Sequence, residues 1–180
     1  MNRLIIVFIT VTFIFLSILL SFGQVNGQTY PTETSWIGVQ LVKKSEGLRL
    51  CTYIDDAGYP TVGFGHKLTV NDDLPNCITP TKAGELLKRD LRGTERVVNT
   101  FGQVVSNQGR FDALTSLIFN IGGGTFGRSK AHVNLVREDI PEFKFEAFDS
   151  KMGFVKDTAG GRILTGLVIR RQAESYLFGD

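Results

Sequence analysis

The chain has 180 residues, 42% of them hydrophobic, with 20 Lys/Arg against 18 Asp/Glu. That is enough for one domain with a sizeable core, and a charge balance too close to zero to supply the positive field that nucleic-acid binding needs. Two histidines and two cysteines provide no Cys/His cluster for zinc, so no metal centre is expected, and no motif calls for a cofactor.

Residues 4–22 form an almost unbroken apolar run, interrupted by Thr10, Thr12, Ser17 and Ser21, behind a modest positive flank from Arg3 and the amino terminus. This pattern predicts an export signal. At about 1.5 Å per helical residue it also reaches roughly the thickness of a bilayer core, so a retained membrane anchor is the second outcome. Ser21 and Gly23 suit cleavage after Gly23, and Val25 and Gly27 suit cleavage after Gly27. Residues 1–27 are therefore assigned as a signal peptide or signal anchor, 28–35 as a polar linker and 36–180 as the folded domain. The expected location is periplasmic or extracellular, with membrane contact only through an uncleaved N-terminal segment. Only Arg3 of the 20 basic residues lies in the export segment, which leaves 19 Lys/Arg against 18 Asp/Glu in the remainder.

Trp36 opens the folded part. Ile37, Leu41 and Val42 predict a helix over about 35–46, with Ser35 as cap and Gly47 as stop. Glu46 falls in its last turn, where the helix dipole disfavours negative charge and so favours the protonated acid. Beyond Gly47 the pattern changes to short strands, 49–54 and 61–64, joined by the turn formers Asp55, Asp56, Gly58 and Pro60. This hairpin returns the chain toward the helix end. Strand and loop continue over 66–77, with bends at Asn71-Asp72-Asp73 and Pro75-Asn76.

Thr79-Pro80 starts a helix from 80 to 92 or beyond, with Ala83, Leu86, Leu87 and Leu91 inward, and Gly93 permits a break before a second helical piece ending near Phe101. Residues 107–121 place Phe111, Leu114, Leu117, Ile118 and Ile121 on one apolar face. Gly122-Gly123-Gly124 stops that helix. Ser129 can cap a short helix over 130–137, and 138–149 forms another. A last helix over 162–178 carries Ile163, Leu164, Leu167, Ile169, Ala173 and Leu177, with Arg170 and Glu174 spaced for an i,i+4 pair. The resulting fold class is α+β, a small N-terminal β-hairpin region packed against a larger all-helical lobe with a cleft between them, where ligand sites tend to form.

Glu46 and Asp55 are the candidate catalytic pair, because acid/base hydrolysis needs one carboxyl that holds a proton and another that stays ionised. Asp55 sits at the hairpin bend, where greater exposure favours the anion. Asp56 competes with it on spacing. Thr61 is expected to face Asp55 across the hairpin and hold a water. His66 reads as a structural residue near the site, bonded to an acidic side chain or a carbonyl, rather than as a base. His132 is placed at the surface or between the lobes. In an exported chain Cys51 and Cys77 form either a disulfide or two separate thiols. The glycines Gly58, Gly63 and Gly65 match no nucleotide loop, and no Gly-x-Ser-x-Gly elbow is present.

Glu46-Gly47-Leu48-Arg49-Leu50, Tyr53-Ile54-Asp55, Gly58 and Thr61-Val62-Gly63-Phe64-Gly65-His66 resemble the phage-type lysozymes, the endolysin family also called glycoside hydrolase family 24. The likeness continues at Ile78-Thr79, Ala113-Leu114, Phe119-Asn120-Ile121-Gly122, Gly124 to Ser129, Gly166-Leu167, Arg170-Arg171 and Glu174. It implies a lysozyme-like fold and an N-acetylmuramidase that cleaves the β-1,4 bond between N-acetylmuramic acid and N-acetylglucosamine in peptidoglycan. A monomer without cofactor or metal is expected. Glu46 then matches the proton donor, Asp55 the second carboxylate and Thr61 the water-positioning threonine of an inverting enzyme. Phe119 and Ser129 match substrate-binding positions near the cleft. Arg162, Arg170 and Arg171 compete for the place of the glutamate's arginine partner. A lytic transglycosylase and a non-catalytic glycan-binding protein are the alternatives, and an intact Asp55/Thr61 pair argues for water as acceptor.

Overall fold

The computed structural model describes residues 30–55, 57–156 and 161–180. The expected export segment lies outside them, as do the first two linker residues and Asp56. Part of the expected linker is tied down: the Thr34 backbone N–H and hydroxyl both donate to Glu95 Oε1, at 2.9 and 2.7 Å. Asn99 and Gln108 side chains donate to the carbonyls of Thr32 and Glu33.

Helix α1 is Trp36–Glu46, with the Ser35 hydroxyl accepting from Ile37 and Gly38 N–H groups, and Gly47 at φ 72° ends it. A side chain at Gly47 would be strained, so the stop is built into the residue type. Strands β1 (Arg49–Ile54), β2 (Pro60–Gly63) and β3 (His66–Lys67) follow as an antiparallel sheet in that order. Tyr53 pairs with Thr61 and Ile54 with Pro60, and β1 bulges between Arg49 and Tyr53. Cys51 and Cys77 are bonded, the first of the two expected outcomes. The segment around Cys77 lies along the outer side of β1, with Thr52 N–H donating to Asn76 O and Ile78 N–H to Leu50 O.

Helix α2, Pro80–Val98, starts as expected at the Thr79 cap but runs unbroken through Gly93. A glycine inside a helix costs only about 1 kcal/mol relative to alanine, and burial of Leu87, Leu91 and Val98 outweighs it. The break comes later, at Gly102 (φ 53°, ψ −123°), inside a 3-10 segment Asn99–Val105. Helix α3 is Gln108–Ile121, with Phe111, Ala113, Leu114 and Leu117 fully buried. Each large apolar side chain buried there contributes about 1.5–3 kcal/mol. The helix is buried around most of its circumference, so Asp112, Thr115 and Ser116 are inside as well.

The glycine run after α3 does not merely turn the chain: Gly123–Gly127 forms a short helix, α4. Helices α5 (Lys130–Val136), α6 (Ile140–Phe148) and α7 (Thr165–Phe178) complete the lobe. The expected apolar face of the last helix is corrected. Ile163 precedes it and Ile169 is 57% exposed, while its buried residues are Arg170, Arg171, Glu174 and Phe178. Three of those four are charged. Helix α7 packs chiefly on α3.

Candidate active site

The C-terminus of α1, the hairpin, the middle of α2 and the end of α3 line one open cavity of about 570 Å³. Glu46, Tyr53, Asp55, Thr61, His66 and Lys67 line it from the α1 and sheet side, and Asp90, Phe119 and Asn120 from the helical side. The sequence-predicted trio Glu46, Asp55 and Thr61 is thus brought to one space.

Glu46 is the last residue of α1, and its side chain is 23% exposed. Arg170 Nη1 donates to its Oε1 at 2.6 Å. Of the three competing arginines, Arg170 therefore contacts the glutamate. The rest of that guanidinium is spent inside the protein: Nε donates to Glu174 Oε1 at 3.1 Å and to Ser116 Oγ at 3.3 Å, and Nη2 to Ser116 O at 2.9 Å. Arg170 is consequently a fixed charge.

Behind it, Arg171 and Glu174 have fully buried side chains. Arg171 Nη2 donates to Glu174 Oε1 at 2.9 Å and to Asn120 Oδ1 at 3.1 Å. Its Nε lies 2.7 Å from Glu174 Oε2, as an ion pair without hydrogen-bond alignment. Burial holds the Arg171 guanidinium down at about 10, still charged at neutral pH. Burial also pushes the Glu174 carboxyl up, against the pull of Arg171 and Arg170. Its surroundings nevertheless fit the anion. Ser116 Oγ, Arg170 Nε and Arg171 Nη2 all donate to Oε1, and Oε2 faces Arg171 Nε.

Asp55 closes the hairpin turn on itself. Its Oδ1 accepts from Ala57 N–H at 2.9 Å and Tyr59 N–H at 2.8 Å, and its own N–H donates to Tyr59 O. Oδ2 lies 3.5 Å from Lys67 Nζ, which also sits 4.3 Å over the Tyr59 ring. The carboxyl is held below its ordinary value, first by the Tyr59 N–H, then by Ala57 and Lys67, against partial desolvation. The expected reason for ionisation is therefore corrected. Asp55 is no more exposed than Glu46, at 19%, and donors rather than solvent favour the anion.

Thr61 is buried in β2, opposite Tyr53 rather than Asp55, and its hydroxyl donates to Tyr59 O at 3.0 Å. His66 is buried between two carboxylates, Nδ1 2.8 Å from Asp90 Oδ2 and Nε2 3.3 Å from Asp72 Oδ2, with Arg89 Nη2 2.9 Å from Nε2. It ties the sheet to α2 from the cavity wall. Phe119 lines the cavity. Ser129 is not among the lining residues; it caps α5 through His132 N–H and donates to Phe126 O. His132 packs within the helical lobe, against the rings of Phe101 and Phe126.

Sequence reasoning missed Asn120, Asp90, Tyr53 and Lys67 as lining residues. Tyr53 and Asn120 both lay in motifs of the resemblance, which was the signal left unused, and the structure places Asn120 between Arg171 and the cavity.

The phage lysozyme family model matches residues 43–174. The endolysin of Salmonella phage P22 is 42% identical over 95 residues, an alignment covering 51% of this chain and 65% of that protein. The endolysin of Acyrthosiphon pisum secondary endosymbiont phage 1 is 36% identical over 141 residues, covering 78% of this chain and 94% of the other. Among solved structures, the muramidase domain of SpmX from Asticaccaulis excentricus superposes with a TM-score of 0.70 at 30% identity, covering 81% of this chain and 97% of that one. A P22 lysozyme variant gives 0.66 at 33% identity, with the same coverages.

Proposed function

This chain belongs to the phage lysozyme family and is a glycoside hydrolase of the lysozyme type, and on that premise we propose that it hydrolyses the β-1,4 bond between N-acetylmuramic acid and N-acetylglucosamine in peptidoglycan. Glu46 is the proton donor to the leaving oxygen. Asp55 is the anion that directs a water to the anomeric carbon from the opposite face, with inversion. The observation that carries this reading is the pair of unlike carboxyls on one cavity, one against a guanidinium, the other against backbone N–H groups and a lysine.

Thr61 orients the water. Its proton is committed to Tyr59 O, so the hydroxyl offers lone pairs to the cavity and accepts a hydrogen from the attacking molecule. That leaves a lone pair of the water for the sugar carbon, while Asp55 takes the other proton. A cavity of about 570 Å³ gives room for a sugar unit and the water together. The apolar run at 4–22 serves export, or anchoring before release, and delivers the enzyme to the wall.

Glu46→Gln tests the reading. The amide can still accept from Arg170 but has no proton for the leaving group, so the fold persists and wall hydrolysis falls by about 10²–10⁴-fold. Clearing of a purified wall suspension at an undiminished rate would sink the assignment. Mass and anomer analysis of the products separates an inverting hydrolase from a transglycosylase, whose anhydro sugar lacks the mass of one water.

A further inference from the structure

We propose that Glu174 is a positioning residue for the reaction: from behind the cavity it sets how firmly Glu46 keeps its proton, by dividing one negative charge between Arg170 and Arg171. The inference rests on Glu46 as proton donor and deepens that reading.

Glu174 does not line the cavity, and its side chain is fully buried. Any effect it has on the chemistry must pass through its neighbours. The i,i+4 and i,i+3 spacings on α7 put Arg170 and Arg171 on the same carboxylate, and Arg170 Nη1 continues to Glu46 Oε1. With Glu46 ionised, two guanidiniums balance two carboxylates. With Glu46 protonated, one positive charge is left over. Arg170, Arg171 and Glu174 are buried and Glu46 is mostly so, and these charges are screened less than exposed ones.

Removing the charge of Glu174 leaves two cations beside Glu46, favours its anion and makes it release its proton at lower pH. Removing Arg171 does the opposite, because Glu174 then cancels Arg170. Among the described residues, the other titratable groups around Glu46 are Lys43 and Lys44 on its own helix, Asp55, His66 and Lys67 of the sheet region, and Asp90 on α2. The part of α3 facing Glu174 contributes Ser116, which is neutral. All of these are unchanged between the variants.

The test is the pH dependence of kcat/KM for hydrolysis of purified wall by the purified chain, whose alkaline limb reports the donor losing its proton. Glu174→Gln should move that limb down by about 0.5–1 unit, and Arg171→Met should move it up by a similar amount. Glu174→Asp, which keeps the charge, should leave the limb in place while lowering the rate. Should one of the first two fail to fold by circular dichroism, the sign of the other's shift decides. Limbs that stay put in the folded charge variants, or that both move the same way, overturn the proposal and leave Glu174 a brace for buried arginines. Glu46→Gln checks the premise separately. Turnover surviving there removes the donor itself, whereas abolished turnover with unmoved limbs removes only the part given to Glu174.

Discussion

At the scale of the residue, the turn-closing bonds of Asp55 and the catalytic role proposed for it are separable by a single substitution. An asparagine carbonyl can still accept from Ala57 and Tyr59 N–H groups, so the turn survives. Asp55→Asn should therefore lower the urea midpoint only slightly, through loss of the anion's attraction for those donors and Lys67, while turnover falls by about 10²-fold or more, a split read by denaturation and wall-clearing assays on the same sample. Asp72 contributes at a different pH. Thr69 and Arg89 hold its carboxyl far below the ordinary value, so its stabilisation is present above the unfolded carboxyl range and lost as pH falls. The gap in urea midpoint between the wild type and Asp72→Asn should be full near neutrality and close as the solution is taken below about pH 4. That Glu46, Asp55 and Thr61 would meet at one cavity was readable beforehand because their positions fall within one short local motif. Arg170 was not separable from Arg162 and Arg171, since it reaches Glu46 across 124 positions and helix register decides which arginine arrives.

At the scale of the element, α1 delivers Glu46 only because it lies close against α3. Gly38 makes that approach possible: a β-carbon there would stand 2.6 Å from Thr34 Cγ2 and 2.7 Å from Asp112 Cγ. Gly38→Ala should lower stability by about 1–3 kcal/mol through overpacking, measured as a shifted urea midpoint, and displace the acid from the cavity. Apolar periodicity located α2 and α3 well, since their inward faces agree with their burial, and the expected bounds of α5 and α6 agree with the observed ones to within two residues. It failed for α7, where Arg170, Arg171 and Glu174 are buried while Ile169 faces water. Periodicity assumes that charge seeks solvent, and a helix whose inner face is a closed ionic cluster reverses that rule. Gly93 misled for a related reason, because local propensity was weaker than the packing of Leu91 and Val98 on either side.

At the scale of the whole molecule, α1 and α2 join the sheet to the helical lobe, and the Cys51–Cys77 bond fastens β1 to the strip that leads into α2. The bond closes a separation of 26 residues, and replacing both cysteines with serine should cost about 2–4 kcal/mol in the unfolding free energy. Chemical denaturation of the two forms without reductant checks it, and the loss should leave the cavity residues in place. The division into lobes was legible from the change of period after Gly47, whereas the pairing of the cysteines was not, because spacing alone fixes no side-chain meeting. The strip around Cys77 has a further consequence. By bonding Thr52 N–H and Leu50 O, it covers the middle of the outer edge of β1, and the opposite border of the sheet, β3, is two residues long. Copies crowded together then find little backbone to recruit, and the small sheet is guarded against growing from one molecule into the next.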